Sequence, residues 1–495
     1  MRRRRRWLLL LVVLSCCVLL TKGEDDYVFW EACERGDVAA MESVLSSSST
    51  DVNFEDDSGR TPLLLAVLNR QVPAVRWLLQ HGADVERPGR WPGPAETPLA
   101  VAATRGDLES MEVLVVEGSA SFGDALVAAA ANGQTAAVEW LVGVGVEVNK
   151  RREDGTTALF WAAKTANVES LQLLLDAGAD VTLEDSIDGS TALHYASSSP
   201  CVEALLRAGA DVEARSSVLG PTDRKPRRDE LRGGVTPLMA AAATGSLDAL
   251  KTLVDEGGAD VNAFDVSGMT ALAWGCAGAN SDGGQGRRLS PHKETTAQIL
   301  QELVDRGAKD ESATVDGLLL LHVAAAAGNV RAIAWLVDTR QHAVDEVSSL
   351  RRQQTPLFVA AEAGSTAAVK ALVKRGANVD FQAPKNDDAT PLHAASAGGY
   401  HKVASLLLKS KANPLLRSSS GQFPSEVAPE DTPQGRALRR FLAKAEREAF
   451  AAHREAFFAE EEALDDDVDD LDVDDLDESV SPPSSKNNVQ QQDEL

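Results

Sequence analysis

Three histidines stand in one local setting, Leu193-His194, Leu321-His322 and Leu392-His393. Imidazole is the side chain best suited to proton transfer or metal ligation near neutral pH. Each histidine occupies the same place in a copy of a recurring sequence pattern, however, so they lie two or three copies apart and cannot share one ion. They read as structural groups bridging adjacent copies. Cys33, Cys201 and Cys276 remain once Cys16 and Cys17 are set aside, and they also fall in separate copies. Cross-linking within one chain is then excluded, because bridged Cα atoms must approach within about 7 Å. No phosphate-binding glycine loop, nucleophile elbow, H-E-x-x-H or C-x-x-C occurs, so no catalytic residue and no cofactor or metal site is expected.

Dense carboxylates occupy the far end. Glu455 to Glu478 holds fourteen acidic residues and no basic one. Asp465-Asp466-Asp467-Val468-Asp469-Asp470 fails as an EF-hand loop, since Asp470 stands where that turn needs glycine. Two readings stay open, a solvated spacer and weak, high-capacity calcium binding through hard oxygen ligands. The net charge of −26 repels phosphate backbones and argues against a nucleic-acid partner.

The elements that must position these residues show in Thr390-Pro391-Leu392-His393-Ala394-Ala395 and its variants. They are Thr61-Pro62-Leu63, Thr97-Pro98-Leu99, Thr157-Ala158-Leu159, Thr191-Ala192-Leu193-His194, Thr236-Pro237-Leu238, Thr270-Ala271-Leu272 and Thr355-Pro356-Leu357, with eroded copies at Asp124-Ala125-Leu126 and Leu319-Leu320-Leu321-His322. Threonine can cap a helix and proline fits its first turn. A second helix follows with apolar residues at i, i+3 and i+4, as in Leu171-Gln172-Leu173-Leu174-Leu175, and stops at Gly82, Gly178 or Gly209. Asp-Gly turns (Asp154-Gly155, Asp188-Gly189, Asp316-Gly317) lead onward. A unit of about 33 residues with T-P-L-H-x-A resembles the ankyrin repeat family. The resemblance covers roughly residues 27 to 445, eleven units and a worn terminal one. It implies an all-α solenoid of helix pairs joined by hairpin loops, binding an unidentified protein on its concave face, without catalysis. Trp77, Trp140 and Trp335 recur on the second helix and Trp161, Tyr195 and Trp274 on the first. Core packing is expected for both sets.

The expected organisation is a leader over 1–23, a solenoid over 24–445, a helix over 446–464 (Gly435 to Leu464 carries the helical spacing) and a disordered acidic tail over 465–495. Insertions interrupt the period at Arg215 to Gly234, with basic Arg224, Lys225, Arg227 and Arg228, and at Ala279 to Lys293. Arg2 to Arg6 followed by apolar Trp7 to Leu20 has the order of a secretory signal. The run of fourteen residues, apolar but for Ser15, falls short of the roughly 20 of a membrane-spanning helix, so no stable span is expected after cleavage; retention as an anchor, with the repeats lumenal, is the alternative. Gln492-Asp493-Glu494-Leu495 resembles the KDEL/HDEL retrieval signals and implies a retrieval receptor. The expected address is the lumen of the endoplasmic reticulum, with secretion as the alternative. The scarcity of cysteine and the lack of any N-x-Ser/Thr sequon lend that address no support.

Overall fold

The computed structural model describes residues 26–469 apart from 48–49, 57–58, 91–94, 217–233, 279–294, 311–313, 315–316 and 350–352. The expected leader, the bodies of both insertions, most of the acidic run and the signal Gln492, Asp493, Glu494 and Leu495 lie outside the described residues.

Twelve helix pairs follow one another from residues 26–35 with Val38–Ser47 to Pro424–Val427 with Pro433–Asp469. Six threonines act as expected: the hydroxyls of Thr61, Thr97, Thr236, Thr270, Thr355 and Thr390 accept from the backbone N–H three residues on. Thr157 makes no such bond, and the Thr191 hydroxyl turns to His194 Nδ1 instead. The leucine after each cap fills the space between the helix layers. Leu63, Leu99, Leu159, Leu193, Leu238, Leu272, Leu357 and Leu392 are at most 1 % exposed, and burying one such side chain stabilises by about 1.5–3 kcal/mol. Alanines such as Ala102, Ala103, Ala162 and Ala163 are fully buried beside them and let the helices approach closely.

First helices stack on first helices (Pro62–Leu68, Pro98–Arg105, Ala125–Ala131) and second helices on second helices (Val72–Gln80, Leu108–Val116, Thr135–Val144), so each unit packs on its neighbours. Asparagines stitch the units together. Asn53 donates to the carbonyl of Gly82 (3.1 Å) and accepts from the N–H of Asp84 (2.7 Å). Asn149 and Asn262 do the same to the Gly178 and Gly307 turns of the next units.

Both insertions are spliced in without breaking the stack. Residues 217–233 enter and leave through a hairpin closed by Gly234 N–H on the Ser216 carbonyl and Ser216 N–H on the Val235 carbonyl. Residues 279–294 lie between Ala271–Ala277 and Thr295–Asp305, which pack together as a normal pair. At the C-terminal end one helix, Pro433–Asp469, crosses the expected boundary at 445 and takes in the first five residues of the run expected to be disordered. Glu446, 7 % exposed, anchors it by accepting from the Ser425 N–H (3.0 Å) and hydroxyl (2.7 Å).

Candidate protein-binding face

Four residues after each cap, the first helix turns a side chain toward the hairpin side. That position holds Leu65, Val101 and Ala128 in the second to fourth units, all buried. In the fifth, sixth and eighth units it holds Trp161, Tyr195 and Trp274, which are half-buried. The expected core packing holds for one side of each ring, which lies against the core, while the other side is partly exposed. Trp77 and Trp335 of the second set are buried, as core residues should be, and Trp140 is half-buried against the core.

The three outward rings hold the hairpins. The Tyr195 hydroxyl donates to Asp185 Oδ2 (2.6 Å), and the Trp274 indole N–H donates to Asp265 Oδ2 (3.0 Å). Asp185 Oδ1 accepts from the N–H groups of Ile187, Asp188 and Gly189, and Asp265 Oδ1 from those of Ser267 and Met269. In the fifth unit the Trp161 N–H reaches the Thr156 hydroxyl (3.0 Å), which donates to Asp154 (2.6 Å). Partial burial pushes the Asp154 carboxyl up, but the Thr156 bonds outweigh it and hold the group below its usual range. The Lys164 ammonium lies 4.6 Å from the Trp161 ring centre and 5.4 Å from that of Tyr195, within cation–π reach.

Held this way, the hairpins carry apolar tips. Ile187 is 52 % exposed, Phe264 65 % and Val266 46 %. They flank the hairpin that carries the first insertion. Arg215, expected among the insertion's basic residues, ties that hairpin to its neighbour by donating to the Phe264 carbonyl (2.8 Å). Sequence reasoning missed all three tips; the signal was an apolar residue beside the turn aspartate, in Ser186-Ile187-Asp188 and Phe264-Asp265-Val266.

The histidines are not brought together. His194 Nδ1 accepts from the Thr191 N–H, which leaves Nε2–H to donate to the Val235 carbonyl of the next unit (2.9 Å). His393 repeats this with Thr390 and Gln422, and His322 Nε2 donates to the Gln354 carbonyl (2.9 Å). All three bridge adjacent units as expected. Leu319 replaces the capping threonine beside His322, so its buried Nδ1 has no partner among the described residues. Cys33, Cys201 and Cys276 are buried, unpaired and far apart in the stack, and burial pushes the Cys33 thiol up to about 12. Among the described residues no three His, Cys, Asp or Glu side chains form a metal-sized group, and no helix is long and apolar enough to cross a membrane.

This stack of capped helix pairs, with a hairpin row above the first helices, defines a helical repeat solenoid. The family described as "Ankyrin repeats (3 copies)" matches residues 13–89, 29–125, 126–216, 292–383 and 321–418, and "Ankyrin repeat" matches 233–266. The chain belongs to the ankyrin repeat family. It is similar to ankyrin repeat and KH domain-containing protein mask-1 of Caenorhabditis elegans (31 % identity, 46 % of this chain, 8 % of that one). It is also similar to transient receptor potential cation channel subfamily A member 1 of Homo sapiens (28 % identity, 47 % and 18 %). The chain thus spans less than a fifth of either relative. An ankyrin repeat domain from Acinetobacter baumannii aligns at 30 % identity over 37 % of this chain and 99 % of that domain, with a TM-score of 0.33.

Proposed function

We propose that the chain is a non-enzymatic scaffold that holds a protein partner across the hairpin side of its fifth to eighth units. Ankyrin repeat proteins are generally protein-binding scaffolds. The observation that carries the reading here is the group of exposed apolar tips, Ile187, Phe264 and Val266, fixed above aromatic rings whose polar atoms are already satisfied. Exposed apolar side chains on a rigid, pre-shaped surface supply binding free energy with little ordering cost. We place this activity in the lumen of the endoplasmic reticulum, on the strength of the Arg2 to Leu20 leader pattern and Gln492, Asp493, Glu494 and Leu495.

The test replaces Ile187, Phe264 and Val266 together by serine and captures proteins from a lumenal extract. Loss of a protein that the unaltered chain retains, with an unchanged thermal transition, supports the surface; equal capture by both chains overturns it. A fluorescent insertion after Gly23 should show a reticular pattern that becomes secreted when Asp493 to Leu495 are removed, and a cytosolic pattern would refute the address.

A further inference from the structure

The last helix is built for more than capping. Second helices elsewhere are short (Val72–Gln80, Val168–Asp176 and His401–Lys409 have 9 residues each). Pro433–Asp469 has 37 residues, about 55 Å at 1.5 Å per residue. Its apolar spacing leaves the stack on the way. Leu438 and Leu442 are fully buried, whereas Phe450 is 51 % exposed and residues 451–456 are all exposed. A projecting helix needs packing on an apolar face for most of its stability. The charge order of this one makes the need greater. Basic Arg436, Arg439, Arg440, Lys444, Arg447 and Arg454 lie toward its N-terminus, and Glu460, Glu461, Glu462, Asp465, Asp466 and Asp467 toward its C-terminus. That is the reverse of what the helix dipole favours.

A groove of about 790 Å³ opens where the helix leaves the stack. Leu415 and Phe450 give it an apolar floor, and its charged lining residues, Arg447, His453 and Arg454, are all of basic type in a chain of net charge −26. Leu415 also stands at the position where Asn53 and Asn149 grip the glycine turn that ends the next unit's second helix, and here that second helix runs on to Asp469 instead of turning. Among the described residues neither Arg447 nor Arg454 has an ion-pair partner, and the Arg447 Nε–H donates only to the Ala443 carbonyl (3.1 Å).

The chemistry that fits is an acidic segment with apolar residues at short intervals, and the chain carries one: Val468, Leu471, Val473 and Leu476 among aspartates. It cannot fill its own groove. The helix carries Asp469 about 28 Å beyond Phe450 and about 22 Å beyond Arg454, and residues 470–476 span about 25 Å at full extension, so folding back brings only the end of the run to the groove's near edge. A second copy laid antiparallel meets the requirement, with the segment around residue 473 of one copy brought opposite residue 450 of the other about a two-fold axis near residue 461. The axis joins the basic half of each helix to the acidic half of its partner, so both copies gain the same contacts. We propose that the chain self-associates through antiparallel pairing of its last helix, each acidic run lying in the other copy's Arg447–Arg454 groove. The inference is independent of the partner-binding face.

Sedimentation equilibrium of the full chain tests it. A dimer at low ionic strength that dissociates as salt rises is expected, since screening acts over about 8 Å at physiological ionic strength. Arg447→Glu with Arg454→Glu should weaken association by about tenfold or more, as should Asp470, Asp472, Asp474 and Asp475 changed together to lysine. Each variant should keep the thermal transition of the ankyrin units, and an equimolar mixture of the two should dimerise again. A chain that stays monomeric at every concentration overturns the proposal, as does a dimer indifferent to both variants or a mixture that remains monomeric.

Discussion

The Tyr195 hydroxyl and the Trp274 indole end on equivalent aspartates, so an aromatic at this position does two things: its ring covers the core and its polar edge fixes a hairpin. Asp185 is 4 % exposed, and a bond to a buried carboxylate is worth about 1.5–3 kcal/mol. Tyr195→Phe keeps the ring and removes only the donor. Amide exchange at Ile187, Asp188 and Gly189 should accelerate while the Leu193 core stays protected; unchanged exchange would deny the hydroxyl its role. The histidines add a pH dependence. Burial holds His194, His322 and His393 below the usual value, favouring the neutral ring in the folded chain. The unfolded chain then takes up more protons as pH falls below about 6.5, so stability drops from there toward the depressed folded values. His342 runs the other way: its bond to Glu346 raises its pKa, and its contribution fades as pH rises through that folded value. With three groups against one, the melting temperature should fall between about pH 7 and pH 5. His322→Gln, which keeps a donor for the Gln354 carbonyl, should flatten that fall.

At the scale of elements, glycines with positive φ divide into two kinds. Gly209 (φ +89) ends a second helix with nothing within 4 Å of an added Cβ, so Gly209→Ala should cost only the left-handed backbone, about 1–2 kcal/mol. At Gly155 (φ +76) the same methyl would lie 2.3 Å from the Ser186 hydroxyl and 2.4 Å from its backbone N. That nitrogen donates to the Asp154 carbonyl of the neighbouring hairpin (2.9 Å). Gly155→Ala should therefore lower the thermal transition further than Gly209→Ala, and equal shifts would show that the hairpins yield freely. The helix pairs were legible in the sequence because Thr-Pro starts and glycine stops are local rules. The Asn53, Asn149 and Asn262 ties were not, since their partners lie 29 to 47 residues on and asparagine near a turn has many local uses. The last helix reads as Gly435 to Leu464 because the acidic run beyond it cannot bury enough apolar surface to fold by itself. The structure extends it to Asp469.

For the whole molecule, the sequence made the stacking plain and left the binding face obscure. Recurrence at one position marks Trp161, Tyr195 and Trp274 equally well as core or surface. Only the stack shows that this position looks out on the hairpins, with Ile187, Phe264 and Val266 above it. The same arrangement governs how damage spreads. Helices pack chiefly on those of adjacent units, so stability is close to a sum of unit and interface terms. Leu392, fully buried, lies in the eleventh unit with only one unit beyond it. Leu392→Ala opens a cavity costing roughly 2–5 kcal/mol, and the last two units should exchange their amides rapidly while those before Thr355 keep native protection. Leu193→Ala, in the sixth unit, removes an equally buried side chain with units on both sides. It should loosen the middle of the array and leave protection rising toward both ends. Hydrogen exchange resolved by segment separates the two patterns. A uniform loss of protection from residue 26 to Leu442 in either variant would mean that the stack unfolds as one cooperative body, against the nearest-neighbour picture.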